Sequence, residues 1–163
     1  MSPRARLAGR LQFLRETPMT DKTSPEPLEN FPFVHAISTR WMDNDVYGHV
    51  NNVNYYSFFD TAVGAFLIQE TSLDYQNSPC VAYVVDTRCS YFKSIAFPDT
   101  VKVGLRVAKL GTSSVRYELA VFKNDDPQAC AQGHFVHVYV DRATGRPVPI
   151  PEATRSALSR LQV

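Results

Sequence analysis

The chain has 163 residues, with 17 Lys and Arg against 16 Asp and Glu, for a formal charge of +1. Hydrophobic residues make up 44% and aromatics 12%, which excludes a chain disordered throughout and gives enough apolar mass for one domain with its own core. The even charge offers no field for steering nucleic acid and no polybasic anchor, and no apolar run approaches the ~20 residues of a membrane helix; neither nucleic acid nor membrane is an expected partner. Cys80, Cys89 and Cys130 stand singly, without a C-x-x-C pair, so reduced thiols in a cytoplasmic protein are expected, with no zinc ribbon and no redox dithiol.

The N-terminus reads separately. Arg4, Arg6, Arg10 and Arg15 precede any acid, and Pro18, Pro25, Pro27 and Pro32 follow among polar groups. A short basic helix followed by a linker, a transit-like segment, or an extension upstream of a start at Met19 all fit. Residues 1–31 are taken as an N-terminal extension expected to be disordered, and residues 32–163 as the domain.

Residues Phe33 to Trp41 alternate in a way that suits a strand largely covered on both faces. Asp43 to Asn52 are dense in turn and cap formers. Residues 53–70 contain no Pro. Asn54, Ser57, Thr61, Gly64 and Ile68 form one narrow stripe, with Asp60 at its border, and the rest of the circumference is apolar; this predicts a helix buried over most of its surface. Four strands follow. Residues 81–92 place Val81, Tyr83, Val85, Thr87, Cys89 and Tyr91 on one face, with Asp86, Arg88 and Ser90 on the other. Residues 101–110 and 115–123 alternate cleanly, and residues 129–140 set Phe135, His137 and Tyr139 against His134, Val136 and Val138. Turns fall at Phe97–Asp99, Gly111–Ser114, Asn124–Pro127 and Asp141–Gly145, and residues 152–161 can form a short closing helix. Strand, long helix and four hairpin-linked strands imply an α+β fold in which a five-stranded antiparallel sheet curls around one helix. The exposed edges of such a sheet invite a dimer that continues it.

The segment before the helix carries the chemistry. A helix start presents unpaired N–H groups and partial positive charge, which suit a developing oxyanion. Gly48 permits a sharp turn, Asn51 or Asn52 can cap the helix, and Asp45 lies upstream on the same loop, where a carboxylate can attack a carbonyl or take a proton from water. Plain structural roles fit the same residues: caps for the asparagines, turn acids for Asp43 and Asp45, a structural imidazole for His49, and core for Tyr55, Tyr56, Phe58 and Phe59. His134 and His137, three apart on a strand, point to opposite faces and make poor joint metal ligands.

Arg40-Trp41-x-Asp43-x-Asp45-x-x-Gly48-His49-Val50-Asn51-Asn52-x-x-Tyr55 resembles the signature of the 4-hydroxybenzoyl-CoA thioesterase family of the hot-dog fold superfamily, and with the element order the likeness covers roughly residues 32–150. The resemblance implies a long central helix wrapped by the sheet, edge-to-edge homodimers that often stack into homotetramers, and sites at the dimer interface. It implies an acyl-CoA thioesterase without metal or redox cofactor, with Asp45 as nucleophile or general base. It implies that backbone N–H groups near Asn51, Asn52 and Val53 would polarise the carbonyl. Tyr47, Gly48, His49, Val50, Asn51 and Tyr55 are implied at the substrate, Asp60 stands where many relatives carry an acid, and Arg88, Lys93 and Arg116 are candidates for the CoA nucleotide. The His-Val-Asn-Asn form resembles the broader acyl-CoA group, so aromatic specificity does not carry over. Two alternatives stand beside this reading: a hot-dog hydratase or dehydratase, and a non-catalytic acyl-CoA or acyl-carrier binding module.

Overall fold

The computed structural model describes residues 24–71 and 73–163. The expectations for the basic start therefore lie outside the described residues. The five strands are β1 (Phe33–Ser38), β2 (Cys80–Tyr91), β3 (Thr100–Leu110), β4 (Ser114–Lys123) and β5 (Ala131–Asp141). They form one sheet in the order β1-β3-β4-β5-β2, antiparallel at every pairing. Helix α1 (Asn52–Thr71) and the closing helix α2 (Glu152–Ser159) complete it. This is the hot-dog architecture: one long helix held against a five-stranded sheet.

The core follows from the alternation. Val101, Val103, Leu105 and Val107 of β3 and Val115, Tyr117, Leu119 and Val121 of β4 turn the same way and are fully buried. Against them α1, 20 residues and about 30 Å long, sets Tyr55, Phe58, Phe59, Ala62, Val63, Phe66 and Leu67. The ring of Phe59 meets Phe135 of β5 edge-to-face at 5.6 Å. The opposite helix face stays open in the single chain: Ile68 is exposed, as its place in the stripe predicts, and Val53, expected on the apolar circumference, is exposed as well.

Three further expectations change. First, β1 ends at Ser38 and is an edge strand with alternate residues exposed; it is not covered on both faces. Trp41 falls in a single 3-10 turn (Trp41–Asp43) and stands out in solvent. Second, β2 does not keep one face throughout. Its pairing with β5 shifts between Val84 and Asp86. Ala82 and Val84 lie opposite the inward Tyr139 and His137, whereas beyond the shift Thr87 and Cys89 lie opposite Phe135 and Gly133. One extra residue at a bulge reverses the alternation, so Val81 and Tyr83 turn outward while Thr87 and Cys89 turn inward. Third, ordered packing begins before residue 32. Glu26 pairs with Arg106 at 2.6 Å, Phe31 is buried beside Ala120 and Phe122, and the Arg106 guanidinium lies 4.8 Å over the Phe31 ring. The segment straps the outer face of the sheet, which supplies apolar cover for β4 residues that the helix cannot reach.

Candidate active site

The loop from Arg40 to Asn51 is fixed by its own polar groups. Asp43 is buried; its Oδ2 accepts the Arg40 backbone N–H at 2.7 Å, and its Oδ1 accepts from Arg40 Nη2 at 2.8 Å. The Asp43 carbonyl accepts the Asn51 N–H at 2.8 Å and Asn54 Nδ2 at 2.9 Å, which ties the loop to the first turn of α1. On the other side Val50 N–H donates to the Ile95 carbonyl at 2.7 Å, and Phe97 N–H donates to Asn44 Oδ1 at 3.0 Å. The first turn of α1, next in sequence, and the distant segment from Ile95 to Phe97 thus hold one short loop between them.

Within that frame Asp45 to His49 make a tight turn. The Asp45 N–H donates to the His49 carbonyl at 2.8 Å and the Gly48 N–H to the Asp45 carbonyl at 3.0 Å. Gly48 has φ +80°, a conformation that a side chain would strain. Asp45 Oδ1 accepts the Tyr47 N–H at 2.8 Å, an Asx turn that sets the carboxylate's direction; Oδ2 accepts no hydrogen bond among the described residues. Asp45 is half-buried, so one oxygen is positioned and the other is available for chemistry.

The helix start divides the expected backbone donors. Asn51 N–H is taken by the Asp43 carbonyl, and Asn51 Oδ1 caps the Val53 N–H at 3.2 Å. Asn52 N–H has no acceptor among the described residues. Of Asn52 and Val53, both expected as donors from the sequence, Asn52 is the one that the fold leaves free. It opens into a shallow cleft of about 270 Å³ that is also lined by His49, Val50, Tyr55, Tyr91 and Lys93. Tyr91 packs edge-to-face on Tyr55 at 5.0 Å, and burial pushes the Tyr55 phenol up to about 12. Both phenols stay protonated at neutral pH.

The remaining candidates scatter. Tyr47 points into solvent with Trp41, Met42 and Val46, outside the cleft. Lys93 lines the cleft but pairs with Asp126 at 2.6 Å. Arg88 and Arg116 lie together in a groove on the outer face of the sheet, apart from Lys93. There Arg116 Nη2 and Asp86 Oδ2 hold the two ring nitrogens of His134, at 3.0 and 2.8 Å. Asp60 stands at the mouth of a separate cavity under α1, where desolvation raises its carboxyl above the ordinary range. Tyr91 went unnoticed as a site residue in the sequence because it reaches the helix start through sheet pairing. Among the described residues no group of three or more His, Cys, Asp or Glu is placed to hold a metal, and no helix is long and apolar enough to cross a membrane.

The thioesterase-like superfamily profile matches residues 39–158, and the chain belongs to that superfamily. The PA5185 protein of Pseudomonas aeruginosa PAO1 is 52% identical, superposes with a TM-score of 0.83, and the match covers 85% of this chain and 96% of that one. A thioesterase from Thermus thermophilus, crystallised with coenzyme A and zinc, is 35% identical, with a TM-score of 0.68 and coverage of 82% and 96%. The 1,4-dihydroxy-2-naphthoyl-CoA thioesterase of Synechocystis shares the fold at 18% identity, with a TM-score of 0.73 and coverage of 79% and 96%.

Proposed function

We propose that the protein hydrolyses an acyl-CoA thioester to the free acid and CoA, and that within its superfamily it belongs with the 4-hydroxybenzoyl-CoA thioesterase family. The observation that carries this reading is the unclaimed Asn52 N–H at the start of α1, opening on a cleft beside the loop that orients Asp45. The thioester carbonyl oxygen accepts from Asn52 N–H at the positive end of the helix, where the donor needs no reorganisation as charge develops. On one route Asp45 Oδ2 attacks the carbonyl carbon, the C–S bond breaks, CoA leaves as the thiolate, and water then cleaves the Asp45–acyl anhydride to the free acid, its proton going to the thiolate; on the other, Asp45 Oδ2 takes a proton from a water that attacks the carbonyl, the C–S bond breaks, and that proton passes to the departing thiolate. His49, Val50 and Tyr55 wall the carbonyl, and Lys93 is the cation we assign to the CoA phosphates.

A homodimer fits the same reading. Trp41, Met42, Val46 and Tyr47 are exposed beside the site, and the edge strand β2 leaves Tyr83, Val84 and Val85 uncovered, apolar side chains on an unpaired sheet edge. A second copy pairing along β2 covers this surface and encloses the cleft.

The test is thiol release from acyl-CoAs of graded chain length, wild type beside Asp45→Asn, with mass measured by light scattering. Turnover that falls 10²–10⁴-fold in a folded, equally dimeric variant is expected. Equal rates in the two proteins, or tight CoA-ester binding with no turnover, refute the assignment.

A further inference from the structure

The cleft at the helix start holds a second donor besides the Asn52 N–H. Tyr91, the last residue of β2, lines it together with Asn52. The Tyr91 hydroxyl donates to the Asn52 carbonyl oxygen at 3.4 Å, on the same residue whose N–H is unclaimed. Ordinary O–H···O bonds run at about 2.7–2.8 Å, so this one is long and weak, and a better acceptor entering the cleft displaces it.

The ring is fixed even though the hydroxyl is loosely held. It packs edge-to-face on Tyr55 at 5.0 Å, with the two planes at 90°. Tyr55 is 3% exposed and Tyr91 is 46% exposed, so of the two phenols Tyr91 is the one that a ligand reaches. A donor on so fixed a ring needs little reorganisation as charge develops beside it. Desolvation, with the Cys89 thiol next to it, raises the Tyr91 phenol above its ordinary range, so it keeps its proton and meets an anion as a donor. Lys93 shares the cleft but is bonded to Asp126 at 2.6 Å.

We propose that Tyr91 is a catalytic residue whose hydroxyl donates to the thioester sulfur as the C–S bond breaks and holds the departing CoA thiolate. With the carbonyl oxygen on the Asn52 N–H, the sulfur is the neighbouring atom of the same group, and the Tyr91 hydroxyl stands beside that residue. The electron pair of the C–S bond passes to sulfur. Tyr91 keeps its own proton throughout, and the proton that neutralises the thiolate comes from the water consumed. The proposal rests on the thioesterase reading for its substrate.

Two measurements decide it. Rates are compared for one acyl group carried as its CoA ester and as its S-phenyl thioester, whose aryl thiolate departs with little help, in wild type, Tyr91→Phe and Asp45→Asn. Tyr91→Phe is expected to lower kcat/KM about 10–100-fold for the CoA ester, the range of a hydrogen bond to a charged group, and less than about three-fold for the S-phenyl ester. Asp45→Asn is expected to slow both. Tyr91→Phe removes one oxygen and keeps the ring on Tyr55, and thermal melting checks that it folds. In the second measurement the thiol of bound CoA is titrated by its thiolate absorbance. About ten-fold more of it is expected to be ionised at pH 8 in wild type than in Tyr91→Phe. Equal losses on the two esters, no loss on either, or equal thiol ionisation in the two proteins overturns the proposal. If wild type hydrolyses neither ester, the thioesterase reading fails, and the titration alone decides whether Tyr91 holds a thiolate.

Discussion

Gly133 gives the sharpest test of how the sheet edge is built. It lies on β5 opposite Cys89 of β2, directly beneath the buried ring of Phe59. A Cβ at this position would stand 2.0 Å from the Arg88 carbonyl oxygen and 2.9 Å from the Phe59 ring. An unstrained C···O contact is about 3.3 Å, so Gly133→Ala must displace the β2 backbone by roughly 1 Å or tilt the central ring of the core. Overpacking costs about 1–3 kcal/mol, and with backbone as the obstacle about 3 kcal/mol is expected. At about 2–4 °C per kcal/mol for a domain of this size, the melting temperature falls by about 6–12 °C. Gly104→Ala is the control. Its Cβ would meet the root of the buried Phe31 side chain, Cγ at 2.6 Å and Cβ at 2.7 Å, which no ring rotation relieves, so the strap ahead of β1 must shift; about 2 kcal/mol is expected. Thermal unfolding followed by circular dichroism at one protein concentration reads both. A Gly133→Ala protein melting within about 2 °C of wild type, or a costlier Gly104→Ala, refutes the reasoning about β2.

Asn51→Ala removes the acceptor that caps Val53 N–H at 3.2 Å; a loss of about 1 kcal/mol, seen as a melting point lower by about 2–4 °C, is expected together with slower thiol release. Gly64→Ala adds a methyl to open space inside a helix and is expected to raise stability by about 0.5–1 kcal/mol, checked by thermal melting. His137 titrates near 4 in the folded chain because it is buried, against an ordinary value of about 6.5. As pH falls from about 6.5 toward 4, the unfolded chain takes up a proton that the folded chain refuses, so stability drops by roughly 3 kcal/mol across that window; urea unfolding at pH 7.5, 5.5 and 4.5 should show the slope, flattened in His137→Leu.

The parts of the fold legible in the sequence were those whose signal is local. The alternation in β3 and β4 and the apolar face of α1 each repeat at the period of their own element, so their placement needs no knowledge of neighbours. The face of Val81 and Tyr83 could not be read this way. A single bulged residue near Val85 reverses the alternation, and a bulge is set by the partner strand β5, which lies about 50 positions along the chain. The strap from Glu26 to Phe31 was hidden for a related reason. Its prolines read as a linker, while its anchors, Arg106, Gln132 and Phe122, lie far away in sequence. Likewise the loop motif announced the helix start, but neither Tyr91 nor the enclosed His137 stands in any local pattern that sets it apart from core.

Asp43 and Asp45 show what geometry adds to a motif. Two positions apart on one loop, they are alike in type, and the sequence offers turn or cap roles for both. The fold gives them opposite surroundings. Asp43 is sealed, with the Arg40 main chain and guanidinium occupying its oxygens, while its carbonyl is committed to Asn51 and Asn54. A carboxylate so buried, with both oxygens bonded to Arg40, is held away from substrate water, and drawing it out would unfasten the first turn of α1. Asp45 spends one oxygen on the Tyr47 N–H and keeps the other. The first acid therefore fixes the frame in which the second is aimed, and the Asn52 donor is left unclaimed because Asp43 and Asn51 satisfy the donors on either side of it. Loss of Asp43 and loss of Asp45 should accordingly differ in kind: the former lowers melting temperature and activity together, the latter activity alone.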